Sequence, residues 1–111
     1  SLGFFFEALA IRDLKVYMDA LRGHVERYHD KTGLECDAVL HLGDGKYALV
    51  EIKLGGETLT REGIATLHKL RGLISSKGLK APAFMMVLTG TGSFAYEEDG
   101  VLVCPLSALR P

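Results

Sequence analysis

The stretch LECDAVLHLGDGKYALVEIKL, residues 34–54, decides how the chain is read. Two apolar, strand-like runs, 34–42 and 47–54, flank Gly43-Asp44-Gly45. Glu35, Asp37, Glu51 and Lys53 are the charges inside them, and charged side chains rarely sit in such runs unless paired or bound to a cation. Side chains alternate faces along a strand. Tyr47, Leu49, Glu51 and Lys53 therefore share one face of the second run. Leu34, Cys36, Ala38, Leu40 and Leu42 are expected on one face of the first, opposite Glu35, Asp37, Val39 and His41. A three-residue loop with Gly45 left-handed pairs Leu42 with Lys46, and so Asp37 with Glu51. A two-residue Asp44-Gly45 turn would instead set Asp37 against Ile52. Opposed carboxylates repel unless a cation lies between them, and adjacent oxygen ligands suit Mg²⁺ or Mn²⁺.

Outward from this hairpin, residues 4–22 read as a helix with Ala10, Leu14, Tyr17, Met18 and Leu21 as its apolar stripe and Gly23 as its stop. HVERYHD (24–30) reads as a strand, turning at Asp30-Lys31-Thr32-Gly33. After Gly55-Gly56, Thr60 is expected to cap a second helix, striped by Ile64, Leu67, Leu70 and Ile74 and ending before Gly78. PAFMMVLTG (82–90) reads as a strand covered on both faces. TGTGS (89–93) is a plain loop, lacking the Lys and following helix of a phosphate cradle. Short strands are expected at 94–96 and 101–104, around an acidic turn at 97–100, with a helical turn at 106–110. The order is αβββαβ plus a terminal strand. Three strands joined by tight turns are antiparallel, and the second helix returns the chain to a strand parallel to the third by a right-handed crossover. The expected fold is α/β: one mixed sheet with helices on both faces.

At 111 residues the chain is expected to form a single domain, 1–111, and its net charge of −1 supplies no global basic field for nucleic acid. No apolar run reaches the length of a membrane span, and no signal peptide is visible. The two cysteines, Cys36 and Cys104, read as buried reduced thiols, so a cytoplasmic setting is the default expectation. The four histidines (24, 29, 41 and 68) lack tight ligand spacing and read as separate surface residues. His41 stands out only because it shares the parity of Asp37. Arg61, Lys69, Arg71, Lys77 and Lys80 make a local basic segment that could meet phosphates. The chain opens without Met and enters an apolar run at Leu2. That is expected of a piece of a longer protein, with Ser1-Leu2 as a cloning remnant.

The element order, with D-x13-E-x-K on the second and third strands, resembles the PD-(D/E)XK nuclease superfamily and its restriction-endonuclease-like fold. The leading Pro of that motif is replaced by Cys36. Members often add a Glu on the first helix, and Glu7 in GFFFEAL matches it. More narrowly, FFFEALAIRDLKVY, HDKTGLECDAVL, ALVEIKLGG, LTGTG and GVLVCPLSAL resemble the uncharacterised C-terminal domain of a prokaryotic AAA-type ATPase family. In that family a P-loop ATPase lies upstream, and its GxxxxGK[ST] motif is not in this chain. The resemblance implies a metal-dependent nuclease acting on DNA, linked to an ATPase. Asp37, Glu51, the Ile52 carbonyl and Glu7 would hold Mg²⁺ or Mn²⁺. Lys53, flanked by carboxylates, would serve as a cation, and Arg61, Lys69 and Arg71 would contact the nucleic acid. The alternative is a non-catalytic accessory module, binding DNA or protein for the ATPase, that keeps the cluster as a folding or docking feature.

Overall fold

The computed structural model describes residues 1–109. Ser1 accepts the Phe4 N–H through its hydroxyl and so caps α1, Leu2–Ala20, two residues before its expected start. The buried stripe of α1 is Phe6, Ala10, Leu14 and Met18, an i, i+4 row. Tyr17 and Leu21 fall beside that row and are exposed. The helix does not stop on a left-handed glycine. Arg22 takes that conformation, at φ 61°. Its N–H bonds the Asp19 carbonyl and the Gly23 N–H bonds the Met18 carbonyl, closing the helix end with a Schellman pair.

Strands β1 (His24–His29), β2 (Glu35–His41) and β3 (Tyr47–Lys53) follow. Helix α2 (Glu57–Ser76) then leads to β4 (Phe84–Thr89), β5 (Tyr96–Glu98) and β6 (Val101–Pro105), and the described residues close with a 3₁₀ turn, Leu106–Leu109. Residue 110 of the expected last turn lies outside the described residues. The sheet order is β1-β2-β3-β4-β6-β5. The β1–β2, β2–β3 and β5–β6 pairs are antiparallel, and β4 lies parallel to both β3 and β6. The fold is thus α/β, with a mixed sheet between two helices. Phe6, Ala10, Leu14 and Met18 pack on Ala38, Leu40, Val50, Ile52 and Leu88 from one side. Ile64, Leu67 and Leu70 pack on Leu49, Met85, Val87, Val101 and Val103 from the other. Among the described residues no helix is long and apolar enough to cross a membrane.

Three further expectations shift. Thr60 does not cap α2; it lies buried in the helix, and Gly56 at φ 93° starts it, so that the chain turns from β3 directly into the first turn. The last hairpin turns on two residues, Asp99 (φ 52°) and Gly100 (φ 77°), which moves Glu97 and Glu98 into β5 and the strand two residues beyond its expected start. A left-handed Asp-Gly pair closes a two-residue turn whose twist matches that of the flanking strands. The third shift concerns β2 and the site itself.

Candidate functional site at the β2–β3 fork

The hairpin closes in the three-residue register. The Leu42 N–H donates to the Lys46 carbonyl, and His41 pairs with Tyr47 through to Ala38 with Val50. Both Asp44 (φ 60°) and Gly45 (φ 73°) are left-handed. Continued, this register opposes Asp37 and Glu51. The ladder, however, ends at Ala38–Val50, and beyond it the two strands part.

The cause lies on the other side of β2. Glu26 pairs with Val39 and Tyr28 with Cys36, so Arg27 alone faces both Asp37 and Ala38. This is a β-bulge, which bends the strand and resets its alternation. Simple parity therefore fails for Cys36. It joins the α2-side core with Leu49 and Val87, with Leu34 packed against that cluster, while Ala38 and Leu40 stay on the α1 side.

Side chains fill the fork. The Asp37 carboxylate accepts the Ile52 N–H at 2.8 Å, and the Glu51 carboxylate accepts the Asp37 N–H at 2.9 Å. Each acid thus replaces a backbone partner that the separated strand no longer supplies. The two acids are near enough for the Asp37 carboxylate to act on Glu51. Glu51 is only 7% exposed. Burial is the largest influence on it, and with the neighbouring Asp37 charge it pushes the Glu51 carboxyl up to about 7, against the pull of the Asp37 N–H and Lys53. Burial next to Glu51 likewise pushes the Cys36 thiol up to about 12, so Cys36 is an inert core thiol. Both cysteines are buried and free.

Glu7, in the second turn of α1, lies near enough to the fork to feel its charges. Burial and the Asp37 charge raise its carboxyl above the ordinary value, and Arg27 and Lys53 oppose them. Lys53 projects on the α2 side, its stem near Gly63, and its ammonium lies 3.9 Å from Glu62 of α2. Reasoning from sequence missed Glu62 and Arg27, because each arrives through packing of another element. Ile52 sits where it was expected. In an extended strand a residue's N–H and C=O point to the same edge, so its carbonyl opens toward the fork. The loops at this end of the sheet interlock. The Gly90 N–H donates to the Leu54 carbonyl, and a Cβ on Gly55 would fall 2.3 Å from the Thr91 hydroxyl.

The structure thus brings Asp37, Glu51, Lys53, Glu7 and Ile52 to one end of the sheet. It separates the three cations expected to grip nucleic acid. Arg61 stands in the second turn of α2 and is ion-paired to Glu57. Lys69 and Arg71 lie about 12–15 Å further along that helix, at 1.5 Å per residue. There α2 packs toward Tyr47, at the far end of β3. Spacing on one helix could not show that α2 runs back down the sheet.

A family model matches nearly the whole chain. That match covers residues 2–109 and is described as a domain of unknown function, DUF4143. The chain belongs to this family. No curated protein and no solved structure matches it.

Proposed function

We propose that this DUF4143 domain is a metal-dependent nuclease-type module of restriction-endonuclease-like fold, attached to an AAA-type ATPase and acting on nucleic-acid phosphodiesters. The observation that carries this reading is the Asp37–Glu51 pair at the β2–β3 fork, each acid holding a backbone N–H across the gap, with Glu7 and Lys53 near enough for their charges to act there. Three carboxylates against Lys53 and Arg27 leave a deficit of positive charge that a hard divalent cation would offset. The donor set is all oxygen: Asp37, Glu51, Glu7 and the Ile52 carbonyl, which suits Mg²⁺ or Mn²⁺. A bound ion would polarise a phosphate and acidify a water at this place. The chain's own part is to hold the donors. The Ile52 N–H orients Asp37, the Asp37 N–H orients Glu51, and Lys53 offers a positive charge beside the site for the anionic transition state. Of Arg61, Lys69 and Arg71, Arg61 stands in the second turn of α2, at the fork end of that helix, for a phosphate contact. The exposed Leu2, Phe4 and Phe5 at the start of α1 support a covering partner, which this reading assigns to the ATPase.

One observation favours a second reading, a non-catalytic accessory module binding DNA or protein. Both acids already have backbone partners, so the fork stands as a structural feature without a metal. Calorimetric titration of Mn²⁺ into the wild type and Glu51→Ala separates the two. The nuclease reading expects saturable uptake by the wild type and none by the variant. No uptake by the wild type leaves the accessory module.

A further inference from the structure

A second group of metal-ligating side chains lies elsewhere on the sheet, on the edge strand β1 and its neighbour. His24 and Glu26 are two residues apart on β1 and so share a face. His41 pairs directly with His24 across the strands. Their rings stack with centroids 4.5 Å apart and planes at 16°. Glu26 lies between them, with Oε1 3.3 Å from His24 Nε2 and Oε2 3.5 Å from His41 Nε2. One ligand atom from each residue can be chosen so that all lie within 4.8 Å of one another. Ligands held at about 2.0–2.2 Å around a tetrahedral ion stand roughly 3.4 Å apart, the length of the two histidine–carboxylate separations.

The backbone builds this juxtaposition. A Cβ on Gly23 would lie 2.5 Å from the His41 carbonyl oxygen and 2.6 Å from the Met18 methyl. Glycine lets the chain leaving α1 press onto the β2 backbone, which sets His24 against His41. If both rings were protonated, the stack would be a like-charge contact. A divalent ion instead takes both imidazoles neutral, with the carboxylate as third ligand.

We propose that His24, Glu26 and His41 form a Zn²⁺ site that clips the edge strand β1 to β2 and leaves a fourth position open to solvent. Two imidazoles and one carboxylate suit Zn²⁺ better than Mg²⁺. His41 lies four residues along β2 from Asp37, about 13 Å at 3.3 Å per residue. That is too far for the site to supply the second ion of a two-metal centre, whose ions stand about 3.5–4 Å apart. The clip is therefore independent of the fork. His24 and His41 are far apart in sequence, so no ligand spacing announces them; strand register alone brings them together.

The test titrates Zn²⁺ into metal-stripped protein by calorimetry, with thermal melting as a second readout. The wild type should show micromolar Zn²⁺ uptake one equivalent greater than that of His24→Gln, and should melt higher when loaded. His24→Gln and Glu26→Gln, both at exposed positions, should remain folded by circular dichroism and lose affinity by about tenfold or more. His68→Gln should bind as the wild type, since His68 sits elsewhere with its Nε2 2.8 Å from the Asp99 carbonyl. Uptake only at millimolar Zn²⁺, unchanged affinity in His24→Gln and Glu26→Gln, or loss in His68→Gln would each overturn the proposal.

Discussion

Replacing Glu51 with Gln removes a charge and keeps the shape and an acceptor oxygen for the Asp37 N–H. Its effect on stability follows from the pKa. The Glu51 carboxyl titrates near 4.5 when unfolded and at about 7 in the fold. Between those values the folded state binds more protons than the unfolded state, so stability falls as pH rises. At about 1.4 kcal/mol per pH unit, ionising this buried carboxyl costs the metal-free fold up to about 3 kcal/mol by pH 8. Glu51→Gln escapes that cost. Urea unfolding in EDTA should find wild type and variant nearly equal at pH 4, with the variant gaining the advantage from pH 5 and holding it above pH 7. Working with their difference cancels the other titrating groups, Glu7 and Asp30 among them, to first order. Millimolar Mn²⁺ at pH 8 should then restore the wild type, by about 2.7 kcal/mol at one hundred times Kd, and leave the variant unmoved. A variant less stable than the wild type at pH 8 without metal, or a difference that ignores pH, would refute the account of a buried, repelled carboxylate.

Lys53→Met keeps the aliphatic stem over α2 and should retain Mn²⁺ binding, while any metal-dependent cleavage falls by about 10²–10³-fold in kcat; undiminished cleavage would remove Lys53 from the mechanism. Arg22→Gly should stabilise the fold by roughly 0.5–1 kcal/mol in chemical denaturation, because a left-handed helix terminus suits glycine and strains arginine. Asp30 accepts from the Thr32 hydroxyl and N–H, the Leu34 N–H and the Tyr28 hydroxyl, and these bonds, that from the Thr32 hydroxyl foremost, hold its carboxyl at about 2, below the usual 3.8. Its contribution is present above pH 4 and lost as pH falls through 2, so Asp30→Asn should lower the melting temperature at pH 7 and match the wild type near pH 2; a gap that persists in acid would contradict this.

The elements could be read from local pattern. Period-two runs around a Gly-Asp-Gly loop marked β2 and β3 and narrowed their register to the one that each turn length permits; the three-residue turn holds from His41–Tyr47 to Ala38–Val50. Stripes at three and four residues marked both helices, and a continuous apolar run marked β4. These are short-range signals, carried by residues that contact the core through their own element. Asp37, Glu51 and Lys53 were visible for the same reason, as charges in apolar strands.

What escaped reading depends on elements meeting. The bulge opposite Arg27 belongs to the β1–β2 pairing, so nothing within LECDAVLHL shows that alternation resets at Asp37 and sends Cys36 to the other core. Glu62 and Arg27 reach the fork only through packing, and Lys69 and Arg71 leave it because α2 runs antiparallel to β3. The raised carboxyl of Glu51 comes from burial beneath those elements, and burial is a property of the assembled fold. His24 and His41 meet only when β1 is laid on β2 with Gly23 pressed against the His41 carbonyl. Local sequence chose the strands and helices, because propensity and periodicity act over a few residues. Tertiary structure alone chose which charges share a site, because that depends on how elements distant in the chain are set side by side.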